Sequence, residues 1–200
     1  MDTITLTINP NPIITSATST AAVCTGDTVQ IAAESIPAVP GTVTLGTGTT
    51  GNGTTSWPSP YGNWYWGAKQ QFLFTAAELS ALNVLPGAIT SVAFDVTAQS
   101  TAAGFTDYAV SMGNSSVTAL TTTFETGLTQ VYYNAYLQPS GLGYSNNTIT
   151  FQTPFVWDGT SNVVVEICFN NNGYTNNAVA TYTNSFTGAS HYRYADATGV

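Results

Sequence analysis

The stretch N147-TITFQTPFVWDGTSNVVVEICF-N170 decides the fold class. Two apolar runs flank Asp158-Gly159, a dipeptide that favours a tight turn because the Asp carboxylate accepts backbone N–H groups and Gly takes φ values closed to other residues. In the second run Val163, Val165, Ile167 and Phe169 fall on one face, and Val164, Glu166 and Cys168 on the other. That two-residue period belongs to a β-strand and not to a helix. The same pattern recurs in both directions. "ITSVAFDVT" (89–97) places Val92, Phe94 and Val96 together, and "DYAVSM" (107–112) does the same with Tyr108, Val110 and Met112. "TQVYYNAY" (129–136), "AVATYT" (178–183) and "SHYRYA" (190–195) add further strands. So does "DTITLTINPNP" (2–12), where Ile4, Leu6 and Ile8 alternate with threonines until the prolines break the run. "CTGDTVQIAA" (24–33) reads as a Gly-Asp turn feeding another strand, and Pro37 and Pro40 mark a second break. Many short strands separated by turn signals predict an all-β sandwich. The one exception is Thr75-Ala76-Ala77-Glu78, a capping box that starts a short helix, with Leu79 and Leu82 expected to face inward and "LPG" (85–87) ending it.

Composition narrows the function. Of the 200 residues 43% are hydrophobic and only 6% charged, so solubility rests on Thr, Ser, Asn and Gly. One lysine (Lys69), one arginine (Arg193) and a net charge of −8 exclude a basic patch for nucleic acid or for an anionic membrane surface. No apolar run is long enough to span a bilayer, so membrane insertion is not expected. "MDTITLTINPNP" has neither the basic start nor the apolar stretch of a signal peptide, and Met1 reads as lying inside a longer protein. Cys24 and Cys168 permit one disulfide at most; a buried thiol at Cys168 with Cys24 unpaired is the plainer alternative.

"LGTGTT" (45–50), "QFLFTAAEL" (71–79), "GAITSVAFDV" (87–96), "GLTQVYYNA" (127–135) and "TITFQTPFVWDGTSNVVVEICFNN" (148–171) together resemble a β-sandwich module of very large secreted proteins of Bacteroidetes-type bacteria. Those proteins are multidomain adhesins with Ig-like or PKD-type repeats and a type IX secretion signal. "DTITLTINPNP" and "VCTGDTVQI" (23–31) resemble the Ig-like part. The resemblance implies an Ig-like strand segment over 1–35, then a jelly-roll-like antiparallel sandwich with one short helix over 36–200. It also implies a secreted or bacterial cell-surface location, and it makes Asp2-Thr3-Ile4 and Asp27-Thr28-Val29 similar to O-glycosylation sites. Within such a protein the expected role is a non-catalytic structural or adhesion module of an adhesin or filament. Its partners would be neighbouring modules or like chains. Assembly through the N-terminal strand implies that removing residues 1–14 abolishes assembly and leaves the sandwich folded.

The competing role is a carbohydrate-binding module. If 64–66 is extended, Trp64 and Trp66 share a face and, beside Tyr61, stack on pyranose rings of a polysaccharide, with Asn63 or Gln70 supplying hydrogen bonds. The alternative is that Trp57, Trp64, Trp66 and Trp157 plug the ends of the sandwich. Asp158 and Asn162 form a weak Ca²⁺ candidate beside the turn reading, because alternating acids are absent; otherwise no cofactor is expected. Zinc is excluded by one histidine and two distant cysteines. Among the acids, Asp95, Asp107, Glu125 and Glu166, no facing pair is legible, and His191 is the only histidine, so no catalytic residue is assigned. Lys69 and Arg193 are expected to stack on aromatic rings or to pair with surplus acids.

Overall fold

The computed structural model describes residues 4–10, 13–19, 31–36, 41–99 and 104–197. In chain order the strands are β1 (Ile4–Pro10), β2 (Ile13–Ser19), β3 (Ile31–Ile36), β4 (Gly41–Leu45), β5 (Thr50–Gly51) and β6 (Gly67–Phe74). The helix α1 (Ala76–Ala81) follows, then β7 (Gly87–Phe94), β8 (Val96–Ala98), β9 (Phe105–Ser115) and β10 (Thr129–Leu137). The chain ends with β11 (Thr148–Trp157), β12 (Asn162–Asn170), β13 (Val179–Tyr182) and β14 (Ser190–Ala195). All the pairings are antiparallel. A four-stranded sheet runs β11-β7-β1-β4 and a five-stranded sheet β10-β9-β12-β6-β14. The chain is an all-β sandwich with one short helix.

The predicted alternations place the core. Val163, Val165, Ile167 and Phe169 of β12 point into it with Phe72 and Phe74 of β6. From the other sheet come Val92 and Phe94 of β7 and Ile149 and Trp157 of β11. Val164, on the opposite face of β12, packs with Leu73 and Leu120 in a smaller cluster outside the sheet. Gln152 of β11 closes one side of the sandwich: its Oε1 accepts from the Tyr133 N–H at 2.9 Å and its Nε2 donates to the Tyr133 carbonyl at 2.8 Å. The capping box is present, with Thr75 Oγ1 accepting from the Glu78 N–H and Glu78 Oε2 accepting from the Thr75 N–H. Leu79 is fully buried, but Leu82 is the C-cap and is 40% exposed, so only one of the two leucines expected inward is there.

The N-terminal strand corrects the division expected at 35/36. β1 is not a piece set apart; it lies between β4 and β7, in register from Ile4↔Leu45 to Ile8↔Gly41 on one side and Ile4↔Phe94 on the other. Ile4, Leu6 and Ile8 are buried in the main core. The expected boundary falls inside β3, which pairs with β2 in a hairpin sheet of its own. Cys24, Pro37, Pro40, Asp2-Thr3 and Asp27-Thr28-Val29 lie outside the described residues. A strand with hydrogen-bonded neighbours on both edges has no edge left to donate. Deleting residues 1–10 is therefore expected to unfold the sandwich instead of sparing it. Leu6→Ala should cost about 2–5 kcal/mol, as buried leucine truncations do, read from the denaturant midpoint.

Candidate functional site

Two of the residues expected to meet a sugar are core. Tyr61 is 1% exposed, stacks on Tyr108 with ring centres 6.1 Å apart, and donates its hydroxyl to the Asn147 carbonyl. Burial pushes its phenol pKa well above the ordinary value. Gln70 is fully buried because Ala68, Gln70 and Phe72 share the inward face of β6. Its side chain holds both backbone groups of Ser59: Oε1 accepts from the N–H at 2.9 Å, and Nε2 donates to the carbonyl. Gln70 is thus a pin for the loop before β6.

Residues 64–66 form consecutive bends, so the two-residue alternation expected for Trp64 and Trp66 does not apply. The three rings part company. Trp64 is half-buried and meets Tyr174 edge-on at 5.7 Å. Trp66 is half-buried, and its carbonyl accepts from the Asn171 N–H. Asn63 is buried: its Oδ1 accepts from Asn171 Nδ2 at 2.8 Å, and its Nδ2 donates to the Gly104 carbonyl at 3.4 Å.

Tyr65, expected on the far face, is half-buried and belongs instead to a partly exposed aromatic array. It stacks on Tyr194 with centres 3.8 Å apart and planes within 14°, and Tyr194 lies 5.9 Å from Tyr192 at 15°. Three phenol rings thus stand nearly parallel. Trp57 leans on all of them, 5.4 Å from Tyr194 and just over 6 Å from Tyr65 and Tyr192. Tyr192 and Tyr194, each 38% exposed, are alternate residues of β14, which pairs with β6 at the end of its sheet. Trp57 also walls a cleft of about 580 Å³ lined by Asn52, Ser56, Pro58, Tyr182, Asn184 and Ser190. No residue of that lining carries a charge.

Buried amides fix this surface. Asn52 Oδ1 accepts from the Ala180 N–H while its Nδ2 donates to the Pro58 carbonyl. Asn177 donates to the Ser56 carbonyl and accepts from the Trp64 N–H, both at 2.8 Å. Gly62 lies flat against Trp57, since a Cβ there would come within 2.5 Å of the indole. The loop that carries Trp57 and Tyr65 is thus held at several points by buried side chains.

The remaining candidates are used structurally. Asp158 Oδ1 accepts from the N–H groups of Thr160 and Ser161, and Oδ2 from the Ser161 hydroxyl. Asn162 accepts from the Ala76 N–H at the start of α1 and donates to the Val117 carbonyl. The two are not gathered as cation ligands, and among the described residues no group of three or more His, Cys, Asp or Glu side chains is placed to hold a metal. Glu166 has the partners that the sequence did not reveal: Lys69 Nζ at 3.3 Å and Gln71 Nε2 at 2.7 Å, both from β6 alongside. Lys69 also lies over Phe124, 5.4 Å from the ring centre, so both fates expected for it occur. His191 packs against the same ring at 4.4 Å. Cys168 carries a free thiol whose pKa is raised by burial, with the Glu166 carboxylate adding to the rise.

Among the described residues no helix is long and apolar enough to cross a membrane. Comparison with protein-family models, curated proteins and solved structures finds no match.

Two outcomes follow. Gln70→Ala leaves the buried Ser59 N–H without its partner, while the Ser59 carbonyl keeps the Gly62 N–H, and should cost about 1–3 kcal/mol, measured by chemical denaturation. The Asp158 carboxyl is held at about 2, chiefly by the Ser161 hydroxyl and then by the Ser161 and Thr160 N–H groups. A depressed pKa stabilises above the ordinary aspartate value and the gain fades as pH falls towards the folded one. Wild type and Asp158→Ala should thus differ in melting temperature above about pH 4 and converge near pH 2.

Proposed function

We propose that this chain is a non-catalytic adhesion module of a secreted, cell-surface protein, and that it adheres by binding a neutral polysaccharide. The observation that carries the reading is the aromatic array of exposed Tyr192 and Tyr194 with half-buried Trp57 and Tyr65, beside an uncharged cleft of amides and hydroxyls. Sugar rings present apolar C–H faces and a rim of hydroxyls. Aromatic side chains bury the faces, and Asn and Ser side chains meet the rim. The charge supports a neutral ligand: a net −8 with two cations repels an anionic polymer. The non-catalytic part rests on Glu166, whose carboxylate is taken up by Lys69 and Gln71. The cell-surface part rests on the resemblance of "TAAEL" (75–79) and "PFVWDGTSN" (154–162) to modules of secreted adhesins.

Affinity electrophoresis through gels cast with hydroxyethylcellulose, xyloglucan, galactomannan or dextran tests the reading. Retardation of wild type in at least one gel is expected. Tyr194→Ala exposes no core and removes the ring shared by Tyr65, Tyr192 and Trp57. It should weaken binding roughly tenfold, about 1.4 kcal/mol, with the melting temperature little changed. Migration of wild type unaffected by all four polymers would overturn the proposal.

A further inference from the structure

The same segment that places Tyr65 in the aromatic array brings Trp64 edge-on to Tyr174, which lines a second depression. This one, of about 280 Å³, has Gly104, Thr106, Asn172 and Thr175 in its lining, with Tyr136 and Tyr174 at its rim. The two tyrosines are the most exposed aromatic rings among the described residues, at 59% and 60%. Each is nevertheless held. Tyr136 lies directly on Gly104, where an added Cβ would come within 2.2 Å of the ring, and its hydroxyl donates to Gln138 Oε1. Tyr174 has its ring braced edge-on by Trp64. The floor beneath them is fixed by Asn171, whose Oδ1 accepts from the Thr106 N–H and whose Nδ2 donates to Asn63.

We infer that this depression is a second sugar-binding subsite, and that the two subsites together select an extended neutral polysaccharide chain over a short oligosaccharide. The inference rests on the glycan-binding reading of the first array. Its chemistry repeats that array: braced, solvent-facing rings over hydroxyl and amide groups, with no charge in the lining. Covering two exposed tyrosines buries apolar area, and aromatic rings beside a polar floor suit a pyranose chair, whose C–H face packs on a ring while its hydroxyls meet the floor. The two subsites are connected through one segment. Trp64 and Tyr65 are consecutive, and Asn177 ties the Trp64 N–H to the Ser56 carbonyl in the wall of the first cleft. A single sugar residue engages one subsite, whereas a polymer engages both, and the second contact is then intramolecular.

The test uses the polysaccharide that retards wild type, together with trisaccharides cut from it, in titration calorimetry. For wild type the trisaccharide should saturate at about two equivalents per chain, and for the double variant Tyr136→Ala/Tyr174→Ala at about one. The same variant should lose at least roughly tenfold in affinity for the polymer, through lost avidity. Gly104→Ala, which displaces the Tyr136 ring without removing it, should weaken polymer binding in the same direction. A wild-type stoichiometry of one, with polymer affinity untouched in the double variant and reduced in Tyr194→Ala, overturns the second subsite and leaves the first standing. Binding of none of the polysaccharides overturns both.

Discussion

The hydrogen bonding of the loop between β5 and β6 is the constraint on which the candidate surface depends. A segment that leaves the sheets exposes backbone N–H and C=O groups that need partners wherever water is excluded. Many proteins meet such needs partly with ions. This chain has few, and among the described residues most of the buried polar side chains are amides: Asn52, Gln70 and Asn177 bind main chain of the loop, while Asn63 and Asn171 join each other and bind the main chain of Gly104 and Thr106. An amide suits the task because it donates and accepts at once and brings no charge that must be neutralised in a low-dielectric interior. Gln70 shows the advantage most directly, closing a ring with both backbone groups of one residue.

That arrangement explains why the strands were legible in the sequence and the site was not. Strand faces follow from a local period, so Val92, Phe94, Val110, Met112 and the Val163–Phe169 series lie where alternation puts them. The capping box is equally local, as is the Asp158 turn. Gln70 reads as a ligand contact because a polar side chain stands near tryptophans in the sequence, whereas in the fold it is buried. Yet "GAKQQFLF" (67–74) alternates, and its inward face reads Ala68, Gln70, Phe72, which was the available signal. Nothing local separates Tyr65 from Trp64 and Trp66. Their fates are set by partners distant in sequence, Tyr194 for one and Tyr174 for another. Tyr192 and Tyr194 have the spacing of a shared face, but that the face is open follows from the position of β14 at the end of its sheet.

The same distinction accounts for β1. Its own pattern predicts a strand and is silent on which sheet receives it. The choice is made by three apolar side chains seeking burial and by two neighbouring strands with unpaired edges. Each buried aliphatic side chain contributes about 1.5–3 kcal/mol, so Ile4, Leu6 and Ile8 weigh heavily against leaving the strand outside. Because the strand's partners lie at Gly41–Leu45 and Gly87–Phe94, the sheet centre forms only after long stretches of chain are brought together.

Rigidity of the surface then bears on recognition. An exposed tyrosine that must be ordered on binding loses rotamer freedom, a cost of about 0.5–1.5 kcal/mol for each immobilised side chain. On the proposed glycan-binding reading that cost is reduced by contacts already present: Tyr65 and Tyr194 stack, Trp57 rests on Gly62, and Tyr136 rests on Gly104. Weak stacking contacts can then appear almost undiminished in the affinity. For a neutral polysaccharide, the ligand proposed for it, a chain with only two cations offers no long-range charge attraction, which leaves aromatic contact area to supply the affinity. In the proposed recognition the glycines under Trp57 and Tyr136 then matter as much as the rings they support, because a Cβ at Gly62 or Gly104 would displace the ring.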